Sequence, residues 1–188
     1  MKRTHRGIAC LCVSFASLVI GPTISFAQQP QMQSVKFDAP AANTKYTGQH
    51  SIPVGDVPGH DIRIFENFRT FPKDPLIIGE VRVKEWWTRG FTDYTDANGP
   101  GTAYHTLLME NGDKIFIRVN FVSQSAGSAD GSKRGASNLI AGPITGGTGK
   151  FLGIRGLLRL AANFDTTTGF NDSKGEIEHW MEKYRVRV

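Results

Sequence analysis

Thiols are almost missing from this chain. Its 188 residues include two cysteines, Cys10 and Cys12, and both lie in an N-terminal leader, so the processed protein is expected to carry none. That excludes a disulfide framework, a thiolate nucleophile and a cysteine-ligated zinc. Long apolar runs are missing too. Ile8 to Ile20 is mostly apolar, and Gly21-Pro22 stops it short of the ~20 residues a membrane span needs, so no membrane insertion is expected. There is no block of positive charge either: 22 Lys and Arg against 17 Asp and Glu give a formal +5. Lys2, Arg3 and Arg6 leave with the leader, which brings +5 down to +2, and the remaining cations are scattered. Nucleic acid is therefore not an expected partner. His50, His60, His105 and His179 never recur at i,i+2 or i,i+4, so no spacing points to a metal. Nucleophile elbow, phosphate loop, flavin motif and haem attachment are all absent, and no cofactor is expected.

What is present begins with residues 1–27, which read as a secretory signal. A basic start, an apolar stretch and Ser25-Phe26-Ala27 place the cut after Ala27 and the protein in the periplasm or outside the cell. Residues 28–58 are rich in breakers, as in Gln28-Gln29-Pro30 and Val57-Pro58-Gly59, and read as an extended or flexible tail. Residues 59–188 then form one domain, long enough for a single core. Its pattern is β throughout, with strands expected over His60–Phe68, Gly79–Phe91, Thr102–Glu110, Lys114–Val122, Ser137–Thr145, Arg155–Asp165 and Gly175–Val188. The central hairpin turns through Asn111-Gly112, a pair that favours a type I′ turn. Ser125 to Gly135 is a polar, glycine-rich loop, expected at the rim. Many strands at this spacing predict an all-β sandwich or barrel.

The densest glycine segment is Gly142 to Gly156. Gly146, Gly149 and Gly153 invite comparison with a dinucleotide loop, but no βαβ unit surrounds them and the chain ends at Val188, too soon for a doubly wound sheet. Gly146, Gly147, Gly149, Gly153 and Gly156 read instead as a structural corner between two strands, where backbone freedom is required. With Phe151 and Arg155, this corner resembles the one that allene oxide cyclases and dirigent proteins carry late in the chain, and Gly101 to Met109 resembles their strand into the central hairpin. The resemblance spans roughly residues 60–188. It implies a single small antiparallel β-barrel of about eight strands whose cavity takes an apolar or aromatic small molecule. Members of that superfamily steer cyclisation or coupling by confining a reactive intermediate, which is catalysis by orientation.

Strand parity nominates the site. Glu66 alternates with Ile62, Ile64 and Phe68, and a carboxylate in such a wall would have a raised pKa, suited to general acid or base work. The resemblance agrees, since allene oxide cyclases place a functional glutamate on their first barrel strand. The competing reading makes Glu66 a rim residue paired with an arginine. Glu85 is the second catalytic candidate, sharing a face with Val81, Val83 and Trp87. Trp86 and Trp87 must face opposite sides of the sheet: Trp87 is assigned to the cavity, and its neighbour to an exterior open to a second subunit in a dimer or trimer. Tyr104, His105, Arg118 and Asn120, on the central hairpin, complete the expected substrate-binding set. Against this, the apolar run Ile115, Ile117, Val119 and Phe121 would turn Arg118 and Asn120 to solvent. Two functions follow. One is a cofactor-independent isomerase, cyclase or lyase with Glu66 moving the proton. The other is a non-catalytic binding or interaction scaffold of the cell envelope. Glu66 and a second polar group facing inward together distinguish the first from the second.

Overall fold

A computed structural model describes residues 31–127, 134–165 and 169–182. The expected signal, most of the Ser125–Gly135 loop and the terminal alternation at 184–188 lie outside the described residues. Among the described residues the chain forms ten strands and two single 3-10 turns: β1 (Gln33–Ala39), β2 (Thr44–Pro53), β3 (His60–Arg69), β4 (Ile77–Ile78), β5 (Val81–Thr95), β6 (Gly99–Met109), β7 (Lys114–Gly127), β8 (Arg134–Gly147), β9 (Ile154–Asp165) and β10 (Gly169–Met181). All the pairings are antiparallel. The order across the sheet is β1-β10-β9-β8-β7-β6-β5-β3-β2, with the short β4 paired to β5. The expected all-β antiparallel class holds. The expected count of about eight does not, and among the described residues no ladder joins β1 to β2, so the sheet is curled with an open seam.

The start of the chain makes that seam. Residues read from sequence as an extended tail contain β1 and β2, which pair with β10 and β3. Pro40 falls between the two strands and precedes the 3-10 turn Ala41–Asn43 that carries the chain from one edge of the sheet to the other. Side chains bridge the gap. Tyr46 of β2 stacks on Phe170 of β10 with ring centroids 4.6 Å apart, and the Ala41 N–H donates to Asp172 Oδ1 at 2.9 Å.

The barrel is solid at one end and hollow at the other. Phe37, Leu76, Ile78, Val83, Leu107, Ile115, Ile154 and Ile177 fill the solid end. The glycine corner closes it. Gly149 has φ +52° and starts a 3-10 turn that drives Phe151 into the core. A Cβ at Gly149 would collide with the Asp113 carboxylate, whose Oδ2 accepts the Lys150 N–H at 2.9 Å. On the β6–β7 turn, Gly112 has positive φ but Asn111 does not. Gly112 N–H donates to Met109 O at 3.0 Å, and Met109 N–H to Asp113 O. The expected type I′ turn is therefore a three-residue loop with glycine in the left-handed position.

All of β3 and the part of β5 after Lys84 present faces opposite to those expected. On β3 the inward residues are Asp61, Arg63, Phe65, Asn67 and Arg69, while Ile62 and Ile64 are exposed. On β5 a bulge between Val83 and Glu85 inserts one residue, so Val83 and Trp86 both point inward and Glu85 and Trp87 both point outward.

Candidate functional site

The hollow end is a lumen of about 580 Å³. Its walls are the inward positions of β2, β3, β5, β6, β7, β8, β9 and β10, set by alternation along each strand. Rings supply much of the surface. Tyr46 meets Phe65 edge-on at 6.1 Å, Phe65 meets Phe121 at 6.5 Å, and Phe164 meets Phe170 at 5.8 Å. Phe121 lies flat where a Cβ at Gly101 would stand, so the glycine there makes room for a lumen ring.

Polar groups converge among these rings. Toward the mouth, Arg63 lies over the rings of Tyr46 and Phe65, 5.6 and 5.4 Å from their centroids, and its Nη1 donates to Gln49 Oε1 at 3.3 Å. Burial raises the Tyr46 pKa, and the Arg63 charge partly opposes the shift. Tyr94 is raised by burial as well, and its hydroxyl donates to Asn138 Oδ1 at 3.4 Å. At the floor, Trp86 Nε1–H donates to His105 Nδ1 at 2.9 Å. The Thr88 hydroxyl lies 2.9 Å from the same nitrogen. Indole N–H only donates, so His105 Nδ1 accepts and the ring proton resides on Nε2. Burial, reinforced by the Arg69 charge, lowers the His105 pKa to about 3, which keeps the imidazole neutral. Arg69 is almost fully buried. Its guanidinium lies 5.7 Å from the Trp86 ring and Nε donates to Thr44 Oγ1 at 2.9 Å.

Of the residues singled out from sequence, His105 alone reaches the lumen. Glu66 lies on the outer face, where Oε2 is 2.7 Å from Arg89 Nε and Oε1 accepts the Thr47 hydroxyl at 2.6 Å. Those partners, Thr47 foremost, lower its pKa, the reverse of the shift expected for an inward catalytic acid. The alternative of a glutamate paired with an arginine describes it correctly. Glu85 also faces outward and accepts Trp87 Nε1–H at 2.9 Å. Trp87 packs on Phe68 at 4.8 Å under the Arg89 guanidinium. Tyr104 is exposed beneath Arg118, and Asn120 Oδ1 accepts the Thr102 hydroxyl at 3.0 Å on the outer surface. The physical reason is common to most of them. An apolar outer stripe with Ile62, Ile64, Phe68 and Phe91 imitates a core face, while a polar lumen carries the arginines that sequence reading sends to solvent. Asn67, Arg69 and Thr88 were not among the predicted site residues; the signal for Asn67 and Arg69 was their shared parity with Phe65 on β3, and for Thr88 its shared parity with Trp86 on β5.

A second hollow of about 850 Å³ lies on the outside of the sheet, lined by Phe91, Val122, Leu139 and Asn120 and bordered by charges of both signs. It is open, and its polar groups do not converge. Among the described residues no group of three His, Cys, Asp or Glu is placed to hold a metal ion.

Fold and lumen together define an antiparallel, barrel-like sheet with a small-molecule-sized chamber at one end. No family model matches the chain, and no match is found among curated proteins. Among solved structures it is similar to the pterocarpan synthase dirigent protein PsPTS1, at 16% identity and TM-score 0.48 over 83% of this chain and 99% of that one. It is also similar to the pterocarpan synthase dirigent protein GePTS1, at 16% identity and TM-score 0.45 over 87% of this chain and 96% of that one. At such identity the likeness concerns the course of the strands and transfers no residue role.

Proposed function

We propose that this protein binds a small aromatic or apolar molecule in the barrel lumen. The observation that carries the reading is the chamber itself: about 580 Å³, ring-walled, with polar groups gathered at its floor. Ligand sites of this kind occupy roughly 300–1,000 Å³ and join apolar walls to a few placed donors. Non-catalytic binding is the form this lumen favours. Asp61 is the one carboxylate among its lining residues, and Glu66 and Glu85 open to the other side of the sheet. If the lumen also catalyses an isomerisation, cyclisation or elimination, the work falls to Arg69 and the Nε2–H of His105. Both are donors able to stabilise negative charge developing on a substrate oxygen.

N-Phenyl-1-naphthylamine, a neutral aromatic dye, tests the reading. Its fluorescence should rise on binding, and bound dye should raise the melting temperature, because a ligand of the native state alone stabilises it. Ala162→Trp, which fills the lumen, should abolish both effects in a protein that still melts cooperatively. Unchanged dye binding in Ala162→Trp would place the dye elsewhere and sink the proposal. The same reading includes export with cleavage after Ala27, decided by the intact mass of the secreted chain.

A further inference from the structure

The lumen floor contains a buried cation without a counter-ion. Arg69 retains 7% of its accessible surface, and burial brings its pKa down only to about 10, so it is charged at neutral pH. Its Nε is bonded to Thr44 and its face rests on Trp86. Among the described residues no carboxylate forms an ion pair with it. An isolated charge held away from water is costly unless something pairs with it. A second unfilled donor lies at the same end. His105 Nε2 is buried with no hydrogen-bond partner, and the Trp86 bond at Nδ1 fixes its proton there. Thus a guanidinium with no carboxylate partner and an imidazole N–H with no acceptor, both on inward strand positions, border one chamber.

Arg63 is the lumen's other cation. Its face is engaged by the Tyr46 and Phe65 rings and its Nη1 by Gln49, while its Nε is buried without a partner, and it stands nearer the mouth, two residues from the inward Asp61. It therefore suits attraction of an anion toward the floor better than its final seat.

Resting on the lumen reading above, we propose that the ligand is a small aromatic acid, its ring among Tyr46, Phe65 and Phe121 and its anionic group against Arg69 and His105 Nε2–H. The acid supplies the missing counter-charge and the missing acceptor together, and charge-assisted bonds in a dry site are the strong ones. A neutral aromatic of the same shape fills the walls but leaves the Arg69 charge without a counter-ion.

The probes are 2-naphthoate and 2-naphthamide, matched in ring and differing in charge, titrated by calorimetry at neutral pH. Wild type should bind the acid at least about tenfold more tightly than the amide. Arg69→Met should erase that preference while leaving the amide affinity within about threefold, with a melting temperature equal to or above that of wild type, since it removes an unpaired buried charge. Arg63→Met should keep the preference for the acid. If Arg69→Met does not fold, the wild-type preference and its survival in Arg63→Met decide the question. Equal affinity for acid and amide in wild type would overturn the acid proposal and leave the lumen reading standing. A preference lost in Arg63→Met rather than Arg69→Met would overturn the assigned seat. Binding of neither probe would overturn the proposal together with the reading beneath it.

Discussion

His60 holds the β2–β3 loop through chemistry that titrates. Its Nδ1 lies 2.6 Å from Asp56 Oδ1 and its Nε2 2.7 Å from Asp93 Oδ1. A carboxylate only accepts, so both contacts are satisfied together by the doubly protonated ring. The Asp93 and Asp56 bonds raise the His60 pKa above the ordinary 6.5, and the His60 bond lowers Asp56 below 3.8. The signs set a window. The His60 contribution is complete below about pH 6.5 and is lost as pH rises through its raised folded value; the Asp56 contribution is present above about pH 3.8 and is lost as pH falls through its lowered one. The clamp is therefore strongest in mildly acidic solution. Because Gly59 and Ala97 of this region border the lumen, the prediction concerns the mouth. Amide protection factors across residues 54–59 should fall as His60 deprotonates and should be flat with pH in His60→Gln. A loop equally protected in both proteins would refute the clamp.

At the scale of the strand, the bulge in β5 decides what faces the ligand. Val83 pairs with Met109 and Glu85 with Leu108, so Lys84 is the supernumerary residue. It permits Val83 to pack in the solid end and Trp86 to sit in the core beneath the lumen floor, bonded to His105, although they stand three apart. Removing Lys84 leaves Val83 inward, Glu85 outward and Trp86 inward, which is regular alternation. Deletion of Lys84 should therefore give a protein that still unfolds cooperatively, with a lower melting temperature. Deletion of Arg89, in a regular part of the β3–β5 ladder, turns either Gly90, Thr92 and Tyr94 or Trp86 and Thr88 to the wrong face and should abolish cooperative unfolding. Thermal denaturation followed by near-ultraviolet circular dichroism separates the two. On β3 no bulge intervenes. Its inverted face follows from which side of the sheet encloses the chamber, and alternation alone is blind to that choice.

For the molecule as a whole, the first strands tie both edges. β1 covers β10 and β2 covers β3, and Tyr46 brings the two edges within ring contact. A chain beginning at Gly59 would retain every strand that the sequence assigned to the domain, yet both edges would stand open and Tyr46 would be missing from the lumen. It should aggregate or lack cooperative unfolding, since bare edge strands recruit other chains, whereas a chain beginning at Gln28 should melt as one unit. Comparing the two by calorimetry and size-exclusion chromatography checks this.

The sequence by itself determined the long strands from β3 onward, though not β1 and β2. Alternation of Ile115, Ile117, Val119 and Phe121, the Gly112 turn, and the glycine corner with Phe151 are local, because period-two patterning and positive φ are properties of neighbouring residues. Sequence also established that Trp86 and Trp87 are divided between the two faces. What it left undecided was which face is inside, and that required the curl of the whole sheet. An outer stripe of Ile62, Ile64 and Phe91 is as apolar as a core, so Glu66 read as an inward acid when it is an outer partner of Arg89. Arg69 and Thr88 became neighbours of His105 through pairing across three strands, with separations that no local window spans. Only the curl of the sheet around a hollow end turned these scattered polar residues into one site, because burial and convergence are properties of the enclosing surface and not of any strand within it.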